Sequence, residues 1–367
     1  MKPTLSPAHL APRTSHLAPP KRILVIRLDR IGDVVLSTPV LQVLREAYPT
    51  AHLAMMVRPI CRELVEGNPS LNQVMLYDKD GRHHGIISTI RFALGLRRDR
   101  FDTALVLHPS NRSHWIPWLA GIPVRIGYDR RTPWLLTRRL QHDKPAGNRH
   151  ESDYALDVVR ALGVEVGAVP EPVIRPSPHM GTAAEAWLTR HDVRSDEPLL
   201  AIHPGASDSV KRWPVDRFAR LGDRLAAARG VRIIVVNGPD HVALGREVIA
   251  RMASHHLDAS GRLSLGILAA LLARCQALVS NDSGPVHIAA AVGTPVVSLF
   301  GRNQPGLGPR RWGPVGAGHL AVHKDAQDDH RVCVNARCPR AFLDITSLSV
   351  DDVYDAVVSV LEREAPR

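Results

Sequence analysis

The sequence predicts an α/β protein built from two doubly wound, parallel-sheet domains facing a cleft, and three observations point there. Short apolar runs rich in β-branched residues alternate with amphipathic segments of helical spacing, the pattern of buried parallel strands covered by helices. That alternation occurs twice, once in each half of the chain. Between the halves, VGAVPEPVIRPSPHMG (166–181) packs four prolines into the nine residues from Pro170 to Pro178, which no regular helix can run through. With 367 residues, at roughly 100–200 per domain, each half is long enough to bury its own core, and a cleft between them is the first place to look for a site.

Taken in order, RILVIRL (22–28) reads as the first strand and VVLSTPVLQVLREAY (34–48) as the helix after it. HLAMMV (52–57) and TALVLH (103–108) supply further strands of the first half. In the second half the strands are LLAIH (199–203), VRIIVVNG (231–238), ALVSND (277–282) and PVVSLFG (295–301), with helices over 215–229 and 265–274. SVDDVYDAVVSVLERE (349–364) opens with a Ser N-cap and two acids, which suits a helix start. The expected organisation is a disordered, proline-rich tail over 1–20, an N-terminal domain over 21–175 and a C-terminal domain over 176–348. A final helix occupies 349–367, with the N-terminal domain as one packing surface open to it.

The composition excludes disorder, collagen and a disulfide scaffold: 44% of residues are hydrophobic and there are only four cysteines, Cys61, Cys275, Cys333 and Cys338. No run approaches the roughly 20 apolar residues that span a bilayer, and the expected location is cytoplasmic. The formal charge of +11 is unevenly placed. Residues 82–149 hold 13 basic and 4 acidic side chains, a net +9, whereas 181–367 carry only +2. Such a patch suits an anionic partner, and with aromatics at 4% it does not resemble a platform for stacking bases, so no nucleic-acid partner is expected.

Four segments carry candidate chemistry. RLDRIGDVVLSTP places Asp33 after a tight turn at the carboxyl end of the first strand, where it can cap the helix or face the ligand crevice as a general base; the loop lacks GxGxxG. HPGASDSVKRWP (203–214) follows a strand and can turn the amides around Ser207 toward an anion beside Lys211, one of six lysines in the chain. Asp240, in VVNGPD, stands where an acid meets ribose hydroxyls or caps the next helix. In VSNDSGPVHIAAAVG, Asp282, Ser283 and Gly284 form a strand-to-helix turn, with His287 one helical turn on, as a ligand contact or a packing residue. The D-x-D at 78–80 lies in a polar loop without a partner signature, and Cys333 and Cys338 lack the further ligands that complete a zinc set, so no metal site is expected.

R-x-D-R-I-G-D (27–33), A-G-I-P-x-R-I-G-Y (120–128), H-P-G-A-x4-K-R-W-P and S-N-D-S-G-P-x-H-I-A-A-A occur in that order, and together they resemble glycosyltransferase family 9, the ADP-heptose:lipopolysaccharide heptosyltransferases. The resemblance covers about 21–362 and implies the GT-B fold, two Rossmann-like domains with the donor in the C-terminal one and the acceptor in the N-terminal one. It implies Asp33 as the catalytic base and Lys211 as the holder of the donor diphosphate. Ser207 would line the phosphates, Asp240 the ADP ribose and Leu263, in GRLSL, the adenine through its main chain. Asp282, Ser283, Gly284 and His287 would contact phosphate and heptose, while Ala206 departs from members with a hydroxyl there. The implied reaction is inverting, metal-independent and without cofactor. Its implied partners are ADP-heptose, an anionic lipopolysaccharide core acceptor and, peripherally, the anionic inner membrane at its cytoplasmic face. Charge placement selects Arg112, Arg125 and Arg130, around HPSNR and an I-G-Y turn, as acceptor-binding. A GT-B enzyme with another ADP-sugar or a non-lipopolysaccharide acceptor is the alternative.

Overall fold

The computed structural model describes residues 18–301, 306–324, 332–334 and 344–364. Six strands of the first half, β1 (Arg22–Ile26), β2 (His52–Val57), β3 (Gln73–Leu76), β4 (Thr103–Val106), β5 (Val124–Tyr128) and β6 (Arg138–Leu140), form one sheet in the order β3-β2-β1-β4-β5-β6. Every pairing in it is parallel, as the unbroken apolar runs require. The second half forms β7 (Leu199–His203), β8 (Arg232–Val235), β9 (His256–Asp258), β10 (Ala277–Asn281), β11 (Val296–Leu299), β12 (Leu320–Lys324) and β13 (Val332–Val334). Their order is β13-β12-β11-β10-β7-β8-β9, parallel except for the antiparallel edge pair β12/β13. In each sheet the strand order reverses beside its first strand, between β1 and β4 and between β7 and β10. The loops leaving β1, β7 and β10 therefore open on the crevices where α/β sheets receive ligands.

The helix expected over 34–48 is two helices, Ile31–Val35 and Thr38–Ala47. Pro39 has no N–H to return to the Val35 carbonyl, and the Thr38 hydroxyl takes that carbonyl instead at 2.8 Å. The same hydroxyl accepts from Val173 N at 3.1 Å, while the neighbouring Ile174 N donates to Ala291 O at 3.0 Å. The proline-rich connector is thus pinned to both domains. I-G-Y is part of β5 rather than a turn, because Ile126 and Tyr128 alternate into a buried sheet position beside β4.

The last helix, Val350–Glu364, has the expected start: Ser349 Oγ accepts from Asp352 N at 3.1 Å and Asp352 Oδ2 accepts from Ser349 N at 2.7 Å. It does not pack on the N-terminal domain. Val353, Val357 and Val360 join Ile202, Val279 and Val297 in the core of the second sheet, and Trp213 Nε1 donates to Leu348 O at 2.9 Å just ahead of it. Its apolar stripe matches the uncovered face of β10, β11 and β12, which leaves nothing for the first domain. Of the tail expected over 1–20, residues 1–17 lie outside the described residues, as does Cys338. Cys61 and Cys275 are buried, unpaired thiols that burial pushes up to about 12, consistent with packing roles.

Candidate active site

The two domains meet where the loop after β1 faces the turn after β10. A Cβ on Gly32 would lie 2.6 Å from the His287 ring, so only glycine lets the backbone of one motif approach the imidazole of the other. Around this contact lies a cavity of about 710 Å³. The N-terminal domain contributes Arg30 to Asp33 and the Pro59–Glu63 segment to its wall, and the segments after β7, β8, β9 and β10, with Leu307 and Trp312, contribute the rest.

The C-terminal wall is mostly backbone and apolar surface. Ser207, Lys211, Leu263, Asp282, Ser283, Gly284 and His287, all candidates from the sequence, line the cavity together. Ser283 and Pro285 start the helix Gly284–Ala291; Pro285 has no N–H and Val286 N donates to Ser283 O at 3.2 Å, which leaves the amides of Ser283 and Gly284 outside the helix's own ladder, the arrangement that suits an anion. Lys211 Nζ donates to Asp282 Oδ2, so the one lysine of the wall is already aimed at the same turn. Burial, with His150 and Lys211 nearby, pushes His287 down to about 3, and the ring is neutral at pH 7. Ser207 sits ahead of a single 3₁₀ turn, Ser209–Lys211, and not on the N-terminus of the long helix, which begins at Val215. Asn281 holds this loop: its Oδ1 accepts from Trp213 N at 3.0 Å and its Nδ2 donates to Pro204 O at 2.8 Å. His203 Nδ1 donates to Val236 O at 2.8 Å, tying β7 to β8 beneath the cavity floor.

The N-terminal wall is an ion cluster. Asp33 accepts from Arg27, which also donates to Asp29 at 2.7 Å and to Glu151 at 3.1 Å. Glu151, 1% exposed, further accepts from Lys144 at 2.8 Å and from Arg311 of the C-terminal domain at 2.7 and 3.0 Å. Burial alone would raise the Glu151 pKa, but the charges of Lys144, Arg27 and Arg311 outweigh it and hold the carboxylate below its ordinary range. Asp33 goes the other way. Burial, reinforced by the negative charges of Asp29 and Glu151, lifts it to about 6 against the pull of Arg27. A second cavity of about 420 Å³ opens on this cluster, lined by His108, Arg130, His142, Lys144 and Arg311 among others. Asp33 belongs to the walls of both cavities, with Leu307.

Of the three arginines selected by charge, Arg130 lines one of these two cavities and Arg112 and Arg125 line neither. Arg112 donates to the Lys79 carbonyl at 2.9 Å and also to His84 O, and Arg125 donates to Leu135 O at 2.6 Å and also to Ile122 O. Both clamp loops, because a guanidinium satisfies several carbonyls at once. Asp240 also lies off the cavity: it is exposed in the turn Pro239–His241, where His241 is the residue turned inward. Asp78 and Asp80 are loop fixtures, accepting from Gly81 N at 2.9 Å and from Arg58 at 2.5 Å.

Sequence reasoning missed Arg27, Lys144, Glu151 and Arg311. Two signals were present: a charge at the end of an apolar strand in RILVIRL, and Lys144 as another of the chain's six lysines. Neither indicates which partner is met.

A family model for glycosyltransferase family 9 (heptosyltransferase) matches residues 89–339. Lipopolysaccharide heptosyltransferase 2 of Escherichia coli strain K12 is 28% identical over 296 residues, covering 78% of this chain and 85% of that protein. The crystal structure of a family 9 glycosyl transferase from Veillonella parvula DSM 2008 superposes with a TM-score of 0.84 at 27% identity, over 94% of this chain and 98% of that one. The E. coli ADP-heptose lps heptosyltransferase II superposes with a TM-score of 0.77 at 23% identity, over 94% and 100% of the two chains, and shares the GT-B fold. The chain belongs to glycosyltransferase family 9, the heptosyltransferases.

Proposed function

We propose that this protein transfers heptose from ADP-heptose to an anionic acceptor of the lipopolysaccharide inner core, by an inverting single displacement at the cytoplasmic face of the inner membrane. The observation that carries the reading is the position of Asp33, a buried carboxylate common to the walls of a large cavity and a smaller, cation-lined one. A donor in the first and an acceptor in the second would meet at that residue.

The chemistry then has an owner for each charge. The acceptor hydroxyl oxygen attacks the anomeric carbon, the bond from that carbon to the diphosphate oxygen breaks, and its electron pair leaves with ADP. The hydroxyl proton goes to Asp33, whose pKa near 6 makes it ionised at neutral pH yet more basic than an ordinary aspartate. The charge growing on the diphosphate falls to Lys211 and to the amides at Ser283 and Gly284, with Ser207 beside them. These partners support a reaction without a metal ion or other cofactor. Asp282 orients Lys211 and, with neutral His287, is placed to contact the sugar. The apolar stretch containing Leu263 and Leu268 suits adenine. On the acceptor side Arg130, beside His142, takes over the role the sequence assigned to three arginines.

The test is a transfer assay with ADP-heptose and core acceptor lacking the terminal heptose, following ADP release, the mass of the product and its anomeric configuration by NMR, with and without EDTA. Addition of one heptose with inverted configuration, undiminished by EDTA, is expected. Transfer from a different ADP-sugar only, or a retained configuration, would overturn the reading.

A further inference from the structure

The helix Ile86–Gly95 is built inside out. Its inward side offers Thr89 and Ala93, with Phe92 packed on Tyr77 and His83 at ring distances of 5.1 and 4.6 Å. Its large aliphatics point the other way: Ile86 is 65% exposed, Ile87 74%, Ile90 37% and Leu94 43%. Positions 86, 90 and 94 succeed one another along one stripe, with 87 beside it. The adjoining helix, Asn111–Leu119, adds Trp118 at 50% exposure. Single exposed aliphatics are ordinary, but a contiguous stripe of this kind on one helix marks an interaction surface.

Charge identifies the occupant. Arg82, Arg91, Arg97, Arg98 and Arg100, on the helix and the segments flanking it, are all exposed and none forms an ion pair among the described residues, Arg97 donating to the Leu119 carbonyl at 3.1 and 3.2 Å. Asp99 is the sole acid between 82 and 100. Aliphatic side chains, a tryptophan at the margin and unneutralised arginines together match an interface with anionic lipid, where the apolar groups enter the acyl boundary and the guanidiniums meet phosphates. A protein partner would have to supply acids around an aliphatic centre, and nothing in the molecule calls for that arrangement.

The stripe also has a direction. The helix follows β3 in a parallel sheet, so it starts at the carboxyl edge, the edge on which both cavities open. Arg112, at the start of the adjoining helix, fastens the 79–84 loop that leads into it. Ile86 and Ile87, the most exposed of the four, therefore sit at the cavity end of the helix.

We infer that the helix Ile86–Gly95, with Trp118 and its surrounding arginines, is the surface by which this protein docks on an anionic bilayer, presenting the acceptor side of the cleft to the lipid. The choice of a bilayer at that edge rests on the reading of a lipid-borne acceptor; the binding itself does not. Full-length protein is sedimented with vesicles of phosphatidylcholine containing phosphatidylglycerol and with vesicles of phosphatidylcholine alone. Wild type should bind the anionic vesicles at least tenfold more tightly, and 0.5 M salt should weaken that binding. The double variant Ile86→Ser with Ile87→Ser should lose about tenfold or more, and Arg91→Glu with Arg98→Glu more than about 20-fold. Both replace exposed side chains, and both should transfer heptose to a deacylated, soluble core acceptor at the wild-type rate. Equal binding by wild type and the two variants, or no binding by wild type, overturns the inference. So does a dimer in light scattering that the Ile86→Ser, Ile87→Ser variant dissolves, which would make a second copy the occupant. Failure of all proteins on the soluble acceptor, with vesicle binding intact, would instead refute the transfer reaction and leave the docking surface standing.

Discussion

The two walls of the cleft solve the same problem, holding charge away from water, by different means. The C-terminal wall uses mainly backbone devices, a strand, a turn and free amides at a helix start, with the partly buried pair Lys211–Asp282. The N-terminal wall uses a buried network of side-chain ion pairs. Arg27 and Glu151 are 124 positions apart, and Glu151 and Arg311 are 160 apart across the domain boundary. On the proposed reading the first wall meets a diphosphate, whose charge is permanent, and a helix start with one lysine can answer it. A proton acceptor needs a tuned pKa, and tuning takes charges placed around it at chosen distances.

The sharpest way to break this comparison is at Asp33. Asp33→Asn should lower kcat by about 10²–10⁴-fold while ADP affinity by calorimetry stays within a few-fold, since the change falls on the proton and not on the diphosphate. In wild type, kcat/KM should rise with pH through about 6 as the carboxylate ionises, and that limb should vanish from the residual activity of the variant. A turnover near wild type would return Asp33 to helix capping.

Glu151 tests whether the cluster is structural as well as electrostatic. Glu151→Ala leaves Arg27, Lys144 and Arg311 facing one another with no shared carboxylate, and should cost about 3–5 kcal/mol in urea denaturation. Asp282→Ala breaks a pair that is only partly buried and should cost far less. Similar losses in the two variants would remove the distinction between the walls.

On the other wall, Lys211→Ala should weaken ADP binding by about 10–150-fold, the loss of a charge-assisted hydrogen bond of roughly 1.5–3 kcal/mol, and slow transfer with it. The smallest effect separates the arginines. Arg130→Ala should raise the acceptor KM a few-fold without touching the donor KM, and moderate salt should mimic it, because an exposed charge is screened over about 8–10 Å. Arg112→Ala should leave both KM values alone and loosen the 79–84 loop, read as faster amide exchange there. An acceptor KM that moves with Arg112 and not with Arg130 would reverse the assignment.

Legibility followed the range of the interactions. β1, β2, β4, β7, β8, β10 and β11 are unbroken apolar runs and could be read directly. β3, β6 and β9 could not: QVML, RRL and HLD are only three or four residues long and each is broken by at least one polar residue, as edge-side strands are. Lys211, Ser283, Gly284 and His287 were legible because turn chemistry and helix starts are written in neighbouring residues. Arg112 and Arg125 misled because an arginine bound to backbone carbonyls and one lining a cavity look alike in a basic segment.

By itself the sequence determined the α/β class, the two sheet-forming halves of the chain, and the strand-to-helix turns that line the larger cavity. These follow from periodicity and local backbone preference, which act over a few residues. Only the tertiary structure decided that the last helix covers the second sheet, that Asp240 points away, and that Arg27, Lys144, Glu151 and Arg311 converge behind Asp33. The reason is that a charge in a sequence reads as solvated surface until its partner is known. Partners more than a hundred positions away are brought together by strand order and domain contact, and spacing along the chain does not record either.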